Sequence, residues 1–219
     1  MVKTLRLNRD RVLRAAIELA DEIGLEQLSM RRLAQELDVV PMALYKHVAN
    51  KDELIDGMLD MIVTEIDPPG PGAEWKPAVR QRILSARRAM LRHRWASRAI
   101  EMRQAPTPAI LAYLNSVIGI LRAGGLSANL THHVMHALGS RVLGFTQELY
   151  TPGDAREAPD MTPFPHVLEI AMAAAHENDS IVGGGCDDQF EFEFALDVLL
   201  DGFERLKDQN WTSTPIRYG

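Results

Sequence analysis

The stretch LAQELDVVPMALYKHVANKDEL, Leu33 to Leu54, decides how this chain is to be read. Leu33, Ala34 and Leu37 recur at the spacing of one buried helical face, and the pattern breaks at Asp38 and Val39. Aspartate is among the few non-glycine residues that enter positive φ, so the break predicts a tight turn. Pro41 suits the first turn of a following helix, where its missing N–H had no partner to lose. Leu44 and Val48 then point inward, leaving Met42, Ala43, Tyr45, Lys46 and His47 outward. Asn50 and Glu53 have the spacing of a capping box, opening a further helix through Leu54, Met58 and Ile62.

Upstream, Asn8 is placed to cap a helix whose buried face carries Val12, Ala16, Leu19, Ala20 and Ile23, and Gly24 supplies its left-handed end. Ser29 caps the helix of Leu33. Downstream, DPPGPGAEW, Asp67 to Trp75, is the strongest breaker in the chain. It predicts a joint between a head over residues 1–66 and a body over 75–210. The body reads as helical throughout: about Lys76 to His93, Trp95 to Met102, Pro108 to Ala123, Ser127 to Tyr150, Phe164 to His176 and Phe190 to Lys207. A loop is expected over Thr151 to Pro165, and no alternating strand pattern is present, so the fold class is all-α.

Charge is unevenly distributed along the chain. Residues 1–51 hold nine Lys/Arg against seven Asp/Glu, whereas the remainder holds 15 against 23. An acidic body repels a polyanion, so any nucleic acid is met by the head. No stretch approaches the roughly 18 apolar residues of a membrane span, and no signal peptide opens the chain, so a cytoplasmic protein is expected. The single cysteine, Cys186, cannot form an intrachain disulfide.

Three short helices with a tight turn before the third form the pattern of a helix-turn-helix, in which the third helix enters the major groove. Arg31, Lys46 and Lys51 can neutralise phosphates, Ser29 and Tyr45 can donate to them, and Met42 and Ala43 can meet thymine methyls. Spacing alone is equally that of a small bundle with a solvated third helix. His132, His133 and His136 have an i, i+4 relation that could hold a metal, but no nearby carboxylate completes a site. Cys186 lacks a positioned base, so neither a metal, a cofactor nor an enzyme is expected. The other alternative is an architectural DNA binder, against which the long body argues.

The run AAIELADEIGLEQLSMRRLAQELDVVPMALYKHVANKDELIDGML resembles the DNA-binding head of the TetR family of bacterial transcriptional regulators. The body resembles, more weakly, the tetracycline repressor branch through LRHR at Leu91 to Arg94, APTP at Ala105 to Pro108 and FEFALDVLLDGFERL near the end. The resemblance implies a homodimeric, one-component repressor that binds a palindromic double-stranded DNA operator and is released by a small-molecule effector. It puts Ser29, Met30, Arg31, Pro41, Met42, Ala43, Tyr45, Lys46, His47 and Lys51 at DNA, with Arg31 and Pro41 to Ala43 reading bases. It pairs the last helix with the one from about Thr131 to Tyr150 across a twofold axis.

In that branch two histidines anchor a magnesium-tetracycline chelate. Here Ile100 and Ser140 fall on their positions, although Glu148 matches an acidic one. Neither isoleucine nor serine replaces an imidazole, so a metal-independent, largely hydrophobic organic effector is expected. Its candidate lining is His93, Trp95, Met102, Tyr113, Val117, Met135, Phe145 and Met172.

Overall fold

The computed structural model describes residues 6–144 and 188–213, together with Pro163, Pro165, His166 and Glu169. Its helices are α1 (Arg9–Ile23), α2 (Met30–Glu36), α3 (Pro41–Leu44), α4 (Lys51–Thr64), α5 (Trp75–Arg92), α6 (Trp95–Glu101), α7 (Pro108–Ala123), α8 (Ala128–Gly144) and α9 (Asp188–Asp208). Among the described residues there is no strand, and no helix is long and apolar enough to cross a membrane. Of the expected helix over Phe164 to His176 only Pro165, His166 and Glu169 are described, each helical; the rest of it and the end of the one to Tyr150 lie outside the described residues.

The head is built by local signals. Asn8, Ser29 and Asn50 each accept a backbone N–H three residues on, from Arg11 at 2.8 Å, Arg32 at 3.2 Å and Glu53 at 2.8 Å. Glu53 reaches back to the N–H of Ala49 at 2.7 Å, one residue short of the Asn50 N–H that a capping box would use. Asp38 takes φ 53°, and the N–H groups of Val39 and Asp38 bond the carbonyls of Ala34 and Gln35 at 2.9 and 3.1 Å. This pair of bonds is a Schellman ending with aspartate in the usual glycine place.

The third helix is shorter than the sequence implies. After Leu44 the chain tightens, with the N–H of His47 on the carbonyl of Leu44 at 2.8 Å, so Tyr45, Lys46 and His47 stand in a turn. Val48 must still be buried, and Asn50 must already be extended to cap α4, at φ −159°.

Gly57 lets α1 and α4 approach closely, since a Cβ there would lie 2.7 Å from a methyl of Leu13. From this head the core continues without a break into the body, where α5 packs on α7, α8 and α9. The two parts meet chiefly through α4, which packs on α1 of the head and on α5, α6 and α7 of the body.

Candidate DNA-contact surface and effector cavity

α2 packs directly on α3, bringing the expected DNA contacts to adjoining segments of the head. Ser29, Arg31, Pro41, Met42, Tyr45 and Lys46 are exposed, while Met30, Ala43, His47 and Lys51 are half-buried. Among the described residues Arg31, Lys46 and Lys51 enter no ion pair. Ser29 accepts the α2 cap bond and keeps its own O–H to donate. Val40, 68% exposed beside Met42 at 70%, extends the apolar part of this surface. Sequence reasoning passed over Val40 because it stands before the proline, as the end of a turn rather than part of a face.

The body encloses a cavity of about 130 Å³. Ile83, Ala86 and Met90 of α5, Ile100 of α6, Tyr113, Leu114 and Val117 of α7, and Met135, Leu138 and Val142 of α8 form most of its wall. Val63 of α4 and Ile66 just beyond it also line it, so the cavity touches the last helix of the head. A cavity lined by apolar side chains leaves no distinct signal in sequence, since wall and core share one composition. Tyr113 stays a neutral phenol, because burial pushes its pKa up to about 12 against the opposing pull of Arg82. The Arg82 guanidinium lies 4.6 Å from the centre of that ring.

Of the expected effector residues, Tyr113, Val117 and Met135 line this cavity. Phe145 and Met172 lie outside the described residues, as do Glu148 and Cys186. His93, Trp95 and Met102 are not part of the wall. Met102 is 70% exposed beyond the end of α6. His93 and Trp95 are buried, but their polar atoms are taken by the head: Asp21 of α1 is bonded by His93 Nδ1 at 2.8 Å and by the Trp95 indole N–H at 2.7 Å. His93 Nε2 lies 3.3 Å from Glu65 at the end of α4.

These contacts belong to a charged seam that no local pattern announced. Arg92 also pairs with Glu65, and Arg98 pairs with Glu26 at 3.2 Å. Arg103 donates to Asp56 at 2.7 Å and to Asp52 at 3.2 Å, both on α4. Arg88 pairs with Asp67 at 2.7 Å, and the Ser85 hydroxyl donates to the same carboxylate at 2.9 Å. The body thus presents cations, and the head and the joint at Asp67 answer with carboxylates. His132 packs edge-on against His136 and His133, at 4.7 and 5.2 Å between ring centres, and His133 packs against Trp211. Among the described residues no three His, Cys, Asp or Glu side chains gather as a metal site.

Known proteins resemble both halves. The pattern of the bacterial regulatory proteins of the tetR family matches residues 12–58, and that of the tetracyclin repressor-like C-terminal domain matches 68–206. A class G tetracycline repressor protein of Vibrio anguillarum is 30% identical over 210 residues, covering 92% of this chain and 96% of the relative. The chain spans about half, 51%, of an HTH-type transcriptional regulator of Saccharopolyspora erythraea, at 36% identity over 120 residues that make up 54% of this chain.

Among solved structures, ActR of Streptomyces coelicolor in complex with actinorhodin superposes with a TM-score of 0.70 at 31% identity, covering 91% of this chain and 98% of that one. BioQ with its natural double-stranded DNA operator superposes with a TM-score of 0.63 at 26% identity, covering 91% and 99%. The two matched patterns fall on the helix-turn-helix head and on the helical body that holds the cavity, and the chain belongs to the TetR family of bacterial transcriptional regulators.

Proposed function

We propose that this regulator is a cytoplasmic homodimeric repressor, with a head over 1–66 that holds a palindromic operator and a body over 75–210 that releases it on binding an organic effector. The observation that carries the proposal is the cavity wall: Val63 and Ile66 place the end of α4 against whatever fills it. An effector that fits better when α4 has shifted draws the dimer toward head positions that no longer match one turn of DNA, roughly 34–36 Å between half-sites. The complexes of ActR with actinorhodin and of BioQ with its operator support both ends of this cycle.

On the head, Arg31 and the surface from Val40 to Ala43 read base edges and thymine methyls, while Ser29, Tyr45, Lys46, His47 and Lys51 hold phosphates. Dimerisation is supported by α9, where Phe190, Phe194 and Val198 recur every four residues at 61%, 58% and 51% exposure. The two phenyl rings stack 6.4 Å apart. No catalytic role is assigned, in keeping with relatives that are regulators.

The effector is metal-independent in this proposal. Ile100 on the cavity wall offers no nitrogen or oxygen to a chelate, and Ser140 offers only a hydroxyl. Calorimetric titration of tetracycline with excess magnesium is expected to give no binding heat, and a duplex selected from a random pool should be a palindrome bound by two chains. Tight magnesium-dependent binding, or selection of a single asymmetric half-site by a monomer, would overturn the proposal.

A further inference from the structure

The cavity continues past Met135. This half-buried side chain of α8 borders the cavity and also two outer hollows. One hollow, of about 580 Å³, lies between α7 and α8, shares Leu114 and Met135 with the cavity, and is otherwise walled in part by Arg122, Thr131, His132 and His136. The other shares Met135, Gly139 and Leu143 with the cavity and carries Glu101.

The first hollow is chemically one-sided. Among the described residues its ionisable groups are a guanidinium and two imidazoles, with no carboxylate in its wall. Arg122 is tethered by one nitrogen to the carbonyl of Leu126 across the α7–α8 turn, which leaves donors on its other nitrogens, and it enters no ion pair among the described residues. Thr131 is 4% exposed, and among the described residues its hydroxyl has no hydrogen-bond partner. A buried hydroxyl without a partner is destabilising, and a ligand atom can supply what the protein does not. Thr131 and Met135 stand one helical turn apart on one face, as do His132 and His136. The unbranched Met135 side chain can swing aside, joining cavity and hollow.

We infer that the effector is amphipathic: an apolar ring or chain body fills the cavity, and an anionic oxygen head passes Met135 to meet Arg122, His136 and the Thr131 hydroxyl. This rests on the effector proposal for the same cavity. Glu101 turns the anion away from the second hollow, so the direction of the ligand is set as well as its charge.

The test uses the full chain and two fluorescent probes of one skeleton, anilinonaphthalene sulfonate and uncharged phenylnaphthylamine. Thr131→Val and Arg122→Gln should each weaken sulfonate binding by about tenfold or more and leave the neutral probe within about twofold, while Arg122→Lys retains the sulfonate. Thr131→Val should also leave the melting temperature unchanged or raised, because the hydroxyl it removes has no partner. Gly139→Leu should abolish both probes, since a side chain there grows into open space at the cavity wall.

Equal weakening of both probes by Thr131→Val and Arg122→Gln, or no weakening, overturns the anionic head while the cavity stands. Probe binding that ignores Gly139→Leu overturns the cavity as the effector site, and this inference with it.

Discussion

The seam between head and body and the cavity beneath it are neighbours built from opposite chemistry. At the seam, Asp21 holds His93 and Trp95, Glu65 holds Arg92 and His93, and Arg103 spans Asp52 and Asp56. In the cavity, aliphatic and thioether side chains and the Tyr113 ring, from α4 to α8, meet mostly through apolar contact. Apolar contacts tolerate sliding and repacking, whereas a charged hydrogen bond is made or lost over a few tenths of an ångström. In the proposed cycle the cavity senses volume and the seam sets angle. α4 belongs to both, with Val63 toward the cavity and Asp52 and Asp56 toward Arg103.

That contrast can be broken in order of size. Leu59→Ala, at a core position with no exposure, should cost about 2–5 kcal/mol by denaturant unfolding and lower DNA and probe binding together. Asp21→Ala removes the acceptor of both His93 Nδ1 and Trp95 Nε1, and should cost about 1–3 kcal/mol. Its signature is selective: operator affinity changes while binding of the neutral probe in the cavity does not. A parallel loss of both would erase the distinction between seam and cavity.

On the DNA side, Arg31→Ala should cost about 1–3 kcal/mol and relax preference at one base position, while Lys51→Ala weakens all sequences alike and lowers the salt slope. Binding to the selected operator and to random duplex at several salt concentrations separates the two.

The smallest effect is acid sensitivity. The Gln189 amide, then Arg80, holds the Glu193 carboxyl below its ordinary 4.5, and Lys76 holds Asp201 below its ordinary 3.8. The folded values lie below the unfolded ones, so the stability these groups add is complete above the unfolded pKa and is lost as pH falls through the depressed folded values. Unfolding free energy should stay level from neutral pH to about 5 as far as these groups are concerned and decline below about 4, with Glu193→Gln flattening the decline.

The head was legible because its instructions are short-range. Asn8, Ser29 and Asn50 cap as their types predict, and Asp38 turns at φ 53°. Where α3 stops was not legible, because burial of Val48 and the cap at Asn50 decide it together. The seam was illegible for a different reason: Asp21 and His93 are 72 residues apart, and nothing local couples them. His93 and Trp95 resembled pocket lining because aromatic side chains serve either purpose, and only their nitrogens, turned to Asp21, settle the matter. Val63 and Ile66 show the converse, since wall and core have one composition.

The central claim is that filling the cavity and holding the operator oppose each other through α4. Calorimetry of the neutral naphthylamine probe into the purified protein, with and without saturating selected operator, measures that coupling directly. The account predicts that operator weakens probe binding by about tenfold or more, that probe weakens operator binding by the same factor, and that operator binding by Gly139→Leu no longer responds to probe. Equal probe affinity with and without DNA would contradict it.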